Sequence, residues 1–198
     1  MGKKSRPPRT HHAEPASFGA FRDEAYVLSA VDTPRAWVNL LSNENYLLQI
    51  SQLGSGYAIY RSQLANLVTR NTWPDDDAGR FFYVRDAKTK RFWSPTVWPV
   101  ETDTRAFDQW TCTYAPGRME WNLRRDGLTL KLDLMVAQDD NVELYKLSFT
   151  NETQRTRTLD LFFFLEWNLR GAPEELGTSL CCQYDPAHKS LVAEREFP

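Results

Sequence analysis

Long apolar runs, an excess of one charge sign and a cysteine framework are all missing from this sequence of 198 residues. No apolar run approaches the ~20 residues that cross a bilayer, and the start of the chain lacks the apolar core of a signal peptide. The net charge of −2 gives no nucleic-acid or membrane signature, because neither sign dominates. We therefore expect no nucleic-acid partner, no membrane partner and a cytoplasmic location.

Candidate metal ligands are equally scarce. Cys112 stands alone and Cys181 and Cys182 are adjacent, an odd count without metal-ligand spacing. This pattern favours reduced thiols over a disulfide framework or a zinc site. The acidic triplet at 75–77 lacks the alternating spacing of an EF-hand loop, and the histidine pair at 11–12 has no further ligands nearby. No metal site and no cofactor are predicted.

A helical period is also absent, and short alternating runs stand in its place. Turn signals separate these runs at intervals of about ten residues, which is typical of an antiparallel β-sandwich. Residues 128–136 and 142–149 alternate apolar and polar side chains, as half-buried strands do. Asp126-Gly127 is a strong two-residue hairpin turn. The predicted fold class is all-β, an antiparallel β-sandwich with a core rich in aromatic residues.

The chain divides into an arm and one domain. Residues 1–17 are polar and basic and cannot bury enough apolar surface to fold alone, so they are predicted to be a disordered arm. Residues 18–198 are predicted to form the sandwich domain. Its other predicted strands are 25–28, 35–43, 46–53, 57–61, 79–85, 91–93, 159–169, 180–184 and 189–194. The glycines around Ser55 predict a tight turn and not a phosphate loop, because no helix pattern follows.

Two tryptophans follow the aromatic hairpin predicted at 79–93. Trp93 and Trp98 are expected near a rim, where Pro95 and Pro99 stop ladder pairing. An indole face on a β scaffold can stack on a sugar ring, although burial in the core is the commoner use. Both roles are therefore open for these two residues.

A polar cluster ends the apolar strand predicted at 159–169. Glu166 is followed by Trp167, Asn168 and Arg170. The carboxylate can accept a hydrogen bond from a sugar hydroxyl, or it can form an ion pair with Arg170. These four residues are candidates for sugar binding, with the ion pair as the alternative.

Several motifs resemble one family in both order and spacing. They are Trp-Val-Asn-Leu-Leu-Ser-Asn at 37–43, Gly-Ser-Gly-Tyr at 54–57, Gly-Arg-Phe-Phe-Tyr-Val-Arg-Asp at 79–86, Trp-Ser-Pro-Thr at 93–96, Asp-Asn-Val-Glu at 140–143 and Phe-Phe-Phe-Leu-Glu at 162–166. From about Tyr26 to Glu194 the chain resembles the N-terminal supersandwich domain of glycoside hydrolase family 94, formerly glycosyltransferase family 36. That group includes cellobiose, cellobionic acid and chitobiose phosphorylases and cyclic β-1,2-glucan synthases.

The resemblance implies a galactose-mutarotase-like β-sandwich. In the family this domain precedes a helical linker and an (α/α)6 barrel, which carries the catalytic acid and the phosphate-binding residues. The sandwich covers the barrel, supports homodimer formation and lends loop residues to the acceptor-sugar side of the active site. The reaction is reversible, inverting phosphorolysis of a β-glucosidic bond, with inorganic phosphate as co-substrate. The implied partner is a β-linked oligosaccharide.

Departures from the family pattern limit what the resemblance assigns. The chain is too short for the barrel, and the sandwich is expected to be incomplete at its C-terminus. No catalytic residue is assigned, and Glu166 is not promoted to the catalytic acid. Tyr114 stands where a family histidine is expected, and the segment 170–178 differs from that of cellobiose phosphorylases, so the acceptor is open.

The sequence thus predicts the carbohydrate-binding and dimerisation sandwich of a glycoside phosphorylase, inactive when alone. A stand-alone carbohydrate-binding module and a purely structural dimerisation fragment are the alternatives.

Overall fold

Strands make up almost all of the regular structure. The computed structural model of the protein describes residues 18–61, 65–70, 79–170 and 180–195. Within these ranges the elements in chain order are β1 (Gly19–Arg22), β2 (Ala25–Leu28), β3 (Val38–Ser42), β4 (Tyr46–Ser51), β5 (Gly56–Arg61), β6 (Ala65–Thr69), β7 (Arg80–Asp86), β8 (Phe92–Trp93), a 3-10 helix (Thr104–Ala106), β9 (Gln109–Ala115), β10 (Arg118–Arg125), β11 (Leu128–Val136), β12 (Glu143–Asn151), β13 (Leu159–Leu165), β14 (Trp167–Arg170), β15 (Leu180–Asp185) and β16 (Ser190–Arg195). The predicted arm at 1–17 and the acidic triplet at 75–77 lie outside the described residues.

The strands pair into antiparallel sheets. A six-stranded sheet has the order β1-β2-β9-β10-β11-β12, and a five-stranded sheet has the order β14-β6-β5-β4-β3. A three-stranded sheet (β13-β7-β8) and the hairpin β15-β16 complete the described strands. Antiparallel registers join the neighbours throughout, which confirms the predicted all-β antiparallel fold. No helix in the described ranges has the length and apolar character needed to cross a bilayer.

The core lies between the inward faces of the two larger sheets. Alternate residues of β10 and β11 are buried, among them Trp121 and Leu132, while their polar neighbours face outward. Leu48 and Ile50 of β4 meet them from the five-stranded sheet within one apolar cluster. Because indole N–H is a donor that must be satisfied when buried, Trp121 Nε1 donates to the Gln52 carbonyl at 2.8 Å. The alternation predicted for 128–136 therefore corresponds to burial. The alternation predicted for 142–149 does not, because Leu144 and Phe149 of β12 are 46% and 40% exposed.

Two tight turns use glycine where the backbone requires it. Asp126 and Gly127 both have positive φ, 52° and 70°, as a two-residue hairpin turn demands. They join β10 to β11 with Arg125 opposite Leu128, as predicted. Gly56 has φ 146°, and a Cβ there would lie 1.9 Å from the Gln49 carbonyl oxygen. The turn interpretation of the segment around Ser55 is confirmed.

Residues 159–169 do not form the single strand that was predicted for them. The chain changes sheets at Glu166, so that β13 pairs with β7 and β14 pairs with β6. A bulge interrupts the β14 register, and Leu169 within it has φ 51°. The apolar run continues through the change because both strands carry apolar side chains. β6 and β9 were not predicted.

Candidate functional site

Glu166 sits at the point where the chain leaves β13 for β14. Its carbonyl oxygen accepts from the backbone N–H of Arg70 at 2.9 Å. Its carboxylate Oε1 lies 2.9 Å from Arg70 Nη1. Glu166 thus forms an ion pair with Arg70. The pair predicted between Glu166 and Arg170 stays a prediction, because the Arg170 side chain lies outside the described part of the structure. Both side chains retain substantial exposure, and such surface pairs are worth ~0–1 kcal/mol.

The next residues of the predicted sugar-binding cluster lie together along β14. Trp167 is opposite Thr69 of β6, and the backbone of Arg170 is opposite Leu67. Trp167 and Asn168 are half-buried, and the Asn168 carbonyl accepts from Arg195 Nη1 at 2.8 Å. The Arg170 side chain is outside the described part of the structure. The cluster occupies the edge of the five-stranded sheet.

The two predicted rim tryptophans belong to a different region from β14. Trp93 is in β8 opposite Val84, and its residue is only 4% exposed. Trp98 is half-buried and packs against the apolar core. Trp93 therefore takes the core-packing role in this domain, and Trp98 keeps part of its ring at the surface.

A buried polar network was missed by the sequence reasoning. Arg80 begins β7 and Glu143 begins β12, and their side chains are 1% and 12% exposed. Arg80 Nε donates to Glu143 Oε2 at 2.5 Å, and Arg80 Nη2 donates to Oε1 at 2.6 Å. The Tyr46 hydroxyl donates to Oε1 at 2.5 Å, and the Tyr145 hydroxyl donates to Oε2. We call these four residues the Arg80–Glu143 network.

The network keeps both tyrosines neutral. Burial, followed by the Glu143 charge, raises the pKa of Tyr46 above its ordinary value. Burial likewise raises the pKa of Tyr145 well above its ordinary value. Two phenols and one bidentate guanidinium therefore occupy both carboxylate oxygens. Glu143 has no free lone pair of the kind that a general acid or base uses.

The network also contacts β6, the strand that pairs with β14. Arg80 Nη2 donates to Thr69 Oγ1 at 3.3 Å, and Thr69 Oγ1 accepts from the Ala58 N–H at 2.9 Å. Thr69 lies directly opposite Trp167. Side chains from β4, β7 and β12 thus meet around the Glu143 carboxylate, and Thr69 of β6 joins through Arg80, so the network connects the three sheets.

A signal for this network existed in the sequence. Arg80 is a cation directly before the aromatic run Phe81–Tyr83, and Glu143 is the one carboxylate of the 143–151 segment. Buried charges in proteins are normally paired. No group of three or more His, Cys, Asp or Glu side chains in the described ranges is arranged to hold a metal ion.

The antiparallel sheets and the match to a family model define an all-β domain of the supersandwich class. The chain belongs to the family described as glycosyl hydrolase 94, supersandwich domain, which it matches over residues 24–196. The family predicted from the sequence motifs is therefore confirmed.

Three curated relatives are phosphorylases several times longer than this chain. Solabiose phosphorylase of Paenibacillus borealis is 28% identical over 186 residues, which cover 90% of this chain and 24% of the relative. The 3-O-beta-D-glucopyranosyl-beta-D-glucuronide phosphorylase of the same organism is 26% identical, with coverages of 92% and 22%. N,N'-diacetylchitobiose phosphorylase of Vibrio furnissii is 28% identical, with coverages of 72% and 18%. The chain spans about a quarter or less of the length of these relatives.

Proposed function

We propose that this chain is the sandwich domain of a glycoside phosphorylase and that it supplies contacts to the acceptor sugar. The family membership and the phosphorylase names of the three relatives support this reaction class. The proposed substrate is a β-linked oligosaccharide, and inorganic phosphate is the proposed co-substrate of the longer enzyme. A homodimer and a cytoplasmic location complete the proposal.

The β14 cluster is the observation that carries the acceptor role. Trp167 is half-buried, and its sequence neighbours Glu166 and Asn168 carry hydrogen-bonding groups. A sugar subsite requires this combination, since the ring packs on C–H groups while polar side chains pair with hydroxyls. The edge position of β14 leaves one side of this strand without a described partner strand.

The chain alone is expected to have no phosphorolytic activity. Inverting displacement needs a positioned general acid and a phosphate clamp beside it. Among the described carboxylates, Glu143 is saturated by its four donors and Glu166 pairs with Arg70. The measurement is release of glucose 1-phosphate from β-linked disaccharides, comparing this chain with a version extended through a catalytic barrel. Release by the purified chain alone would contradict the proposal, and sugar binding by the chain alone would favour a carbohydrate-binding module.

Arg170→Ala, made in the barrel-extended protein, is expected to weaken acceptor use while the phosphate requirement stays intact. A lost charged hydrogen bond costs ~1.5–3 kcal/mol, roughly tenfold to a hundredfold in acceptor kcat/KM. Kinetics in the synthetic direction measure this effect. Arg22→Ala, in the edge strand β1 of another sheet, is the matched control and should leave the kinetics unchanged. An unchanged acceptor KM and kcat/KM in Arg170→Ala would leave only a structural role.

A further inference from the structure

A polar cavity lies between the turn after β7 and the segment that leads into β13. Its volume is about 390 Å³. Two short segments line it: Asp86, Ala87, Lys88 and Thr89 from the turn, and Arg155, Thr156, Arg157 and Thr158 from the approach to β13. Nothing in the proposed acceptor role uses these residues.

Buried contacts hold the two walls of the cavity together. The Ala87 N–H donates to the Thr158 carbonyl at 2.9 Å. Arg157 and Asp86 are almost fully buried, and Arg157 Nε and Nη2 lie 2.9 and 2.8 Å from Asp86 Oδ2. Arg157 Nη1 also donates to the Asp126 carbonyl at 3.0 Å. The cavity is therefore preformed, and a ligand would not have to order its walls.

The lining carries more positive than negative charge. Asp86 is its single carboxylate, and Oδ1 accepts from the N–H groups of Lys88 and Thr89 while Oδ2 pairs with Arg157. The pKa of Asp86 is lowered to about 2. The hydrogen bond from the Thr89 N–H is the largest cause, the Arg157 side chain adds to it, and burial acts in the opposite direction. Asp86 and Arg157 thus neutralise one another, which leaves Lys88 and Arg155.

Those two cations are available to a ligand. Both are exposed at the cavity, and neither takes part in an ion pair with another described residue. Thr156 and Thr158 add hydroxyl groups to the same lining. An ammonium and a guanidinium beside hydroxyl donors form the donor set that recognises phosphoryl oxygens.

We propose that this cavity binds a phosphoryl group, either as inorganic phosphate or as a sugar phosphate. A volume of this size is in the range of small-molecule sites and accommodates a phosphoryl group with an attached sugar. Lys88 and Arg155 contact the phosphoryl oxygens, and the Asp86–Arg157 pair fixes the walls. The site is formed by residues of this chain alone. A failure of the phosphoryl-binding proposal would therefore leave the proposed acceptor role unaffected, and the reverse also holds.

Titration calorimetry of the full chain tests the site, with inorganic phosphate in one arm and glucose 1-phosphate in the other. Both titrations use chloride at matched ionic strength as the background, because exposed charges respond to salt in general. Loss of one charge-assisted contact lowers affinity roughly tenfold to a hundredfold. We expect this loss in Lys88→Ala and in Arg155→Ala, and a smaller loss in Arg155→Lys.

Lys146→Ala is the matched control, since Lys146 is an exposed cation on β12 outside the cavity lining. It should bind phosphate as the parent chain does. Equal affinities for the two ligands would assign the phosphoryl group alone, and tighter binding of glucose 1-phosphate would assign a sugar phosphate. Absence of binding in both arms overturns the proposal, and so does an equal loss of affinity in Lys146→Ala. Far-ultraviolet circular dichroism of each variant confirms that the fold is retained.

Discussion

Glu143→Leu should lower the free energy of unfolding by about 3–5 kcal/mol, because it leaves the Arg80 guanidinium buried without its counter-charge. Arg80 has little room to compensate. Its side chain is 1% exposed, and its Nη1 is already buried without a hydrogen-bond partner among the described residues. Tyr46 and Tyr145 would lose their shared acceptor at the same time. Urea unfolding followed by tryptophan fluorescence measures the loss.

A double-mutant cycle separates the buried pair from simple loss of packing. Arg80→Met alone should be about as damaging as Glu143→Leu, whereas the double variant should recover much of the loss, because an apolar replacement of a whole buried pair is often neutral. Arg124→Ala is the control. Its ion pair with Glu152 is half-exposed and is worth ~0–1 kcal/mol. Additive losses in the double variant would contradict the coupling inferred here.

Local sequence signals predicted the elements whose structure is determined locally. Asp126-Gly127 specifies its hairpin through two positive φ values, whichever sheet the hairpin joins. The alternation in β11 specifies which side chains are buried. Both predictions needed only neighbouring residues, and both were confirmed.

The choice of partner strand is not local, and there the sequence reasoning failed. β13 and β14 follow one another in an apolar run, yet they pair with β7 and β6 in different sheets. β6 is five residues long and contains no glycine or proline that would mark a strand end in the sequence. A run of apolar side chains predicts a strand but does not identify the sheet in which that strand pairs.

Contacts in the candidate site also could not be predicted from neighbouring residues. The ion pair between Glu166 and Arg70, which are 96 positions apart, was not predicted. Arg80 and Glu143 are separated by 63 positions. Both network residues lie in motifs that identified the family, so their presence was noticed while their contact was not. Pairing across such separations depends on the completed fold.

Self-association of the chain through β13 is the second large effect that we expect. β13 lies at the edge of its sheet and pairs with β7 on one side, with no described strand on the other. Residues 161–164, Leu-Phe-Phe-Phe, are 43–49% exposed, so both faces of the strand present apolar side chains. An unpaired edge with apolar faces is a template for pairing with another chain.

Phe162→Glu combined with Phe164→Lys should therefore raise the monomeric fraction several-fold at high protein concentration. Both side chains are on one face of β13, and Phe162 lies beneath the Arg85 guanidinium, 5.7 Å from its Cζ, where a carboxylate is tolerated. Sedimentation velocity over a concentration series measures the fraction. Phe21→Lys is the matched control, since Phe21 is more exposed and also lies on an edge strand, β1. If Phe21→Lys raised the monomeric fraction as much as the β13 double variant, general surface charge would explain the effect. A parent chain that stays monomeric and melts sharply at high concentration would show that the β13 edge does not drive association.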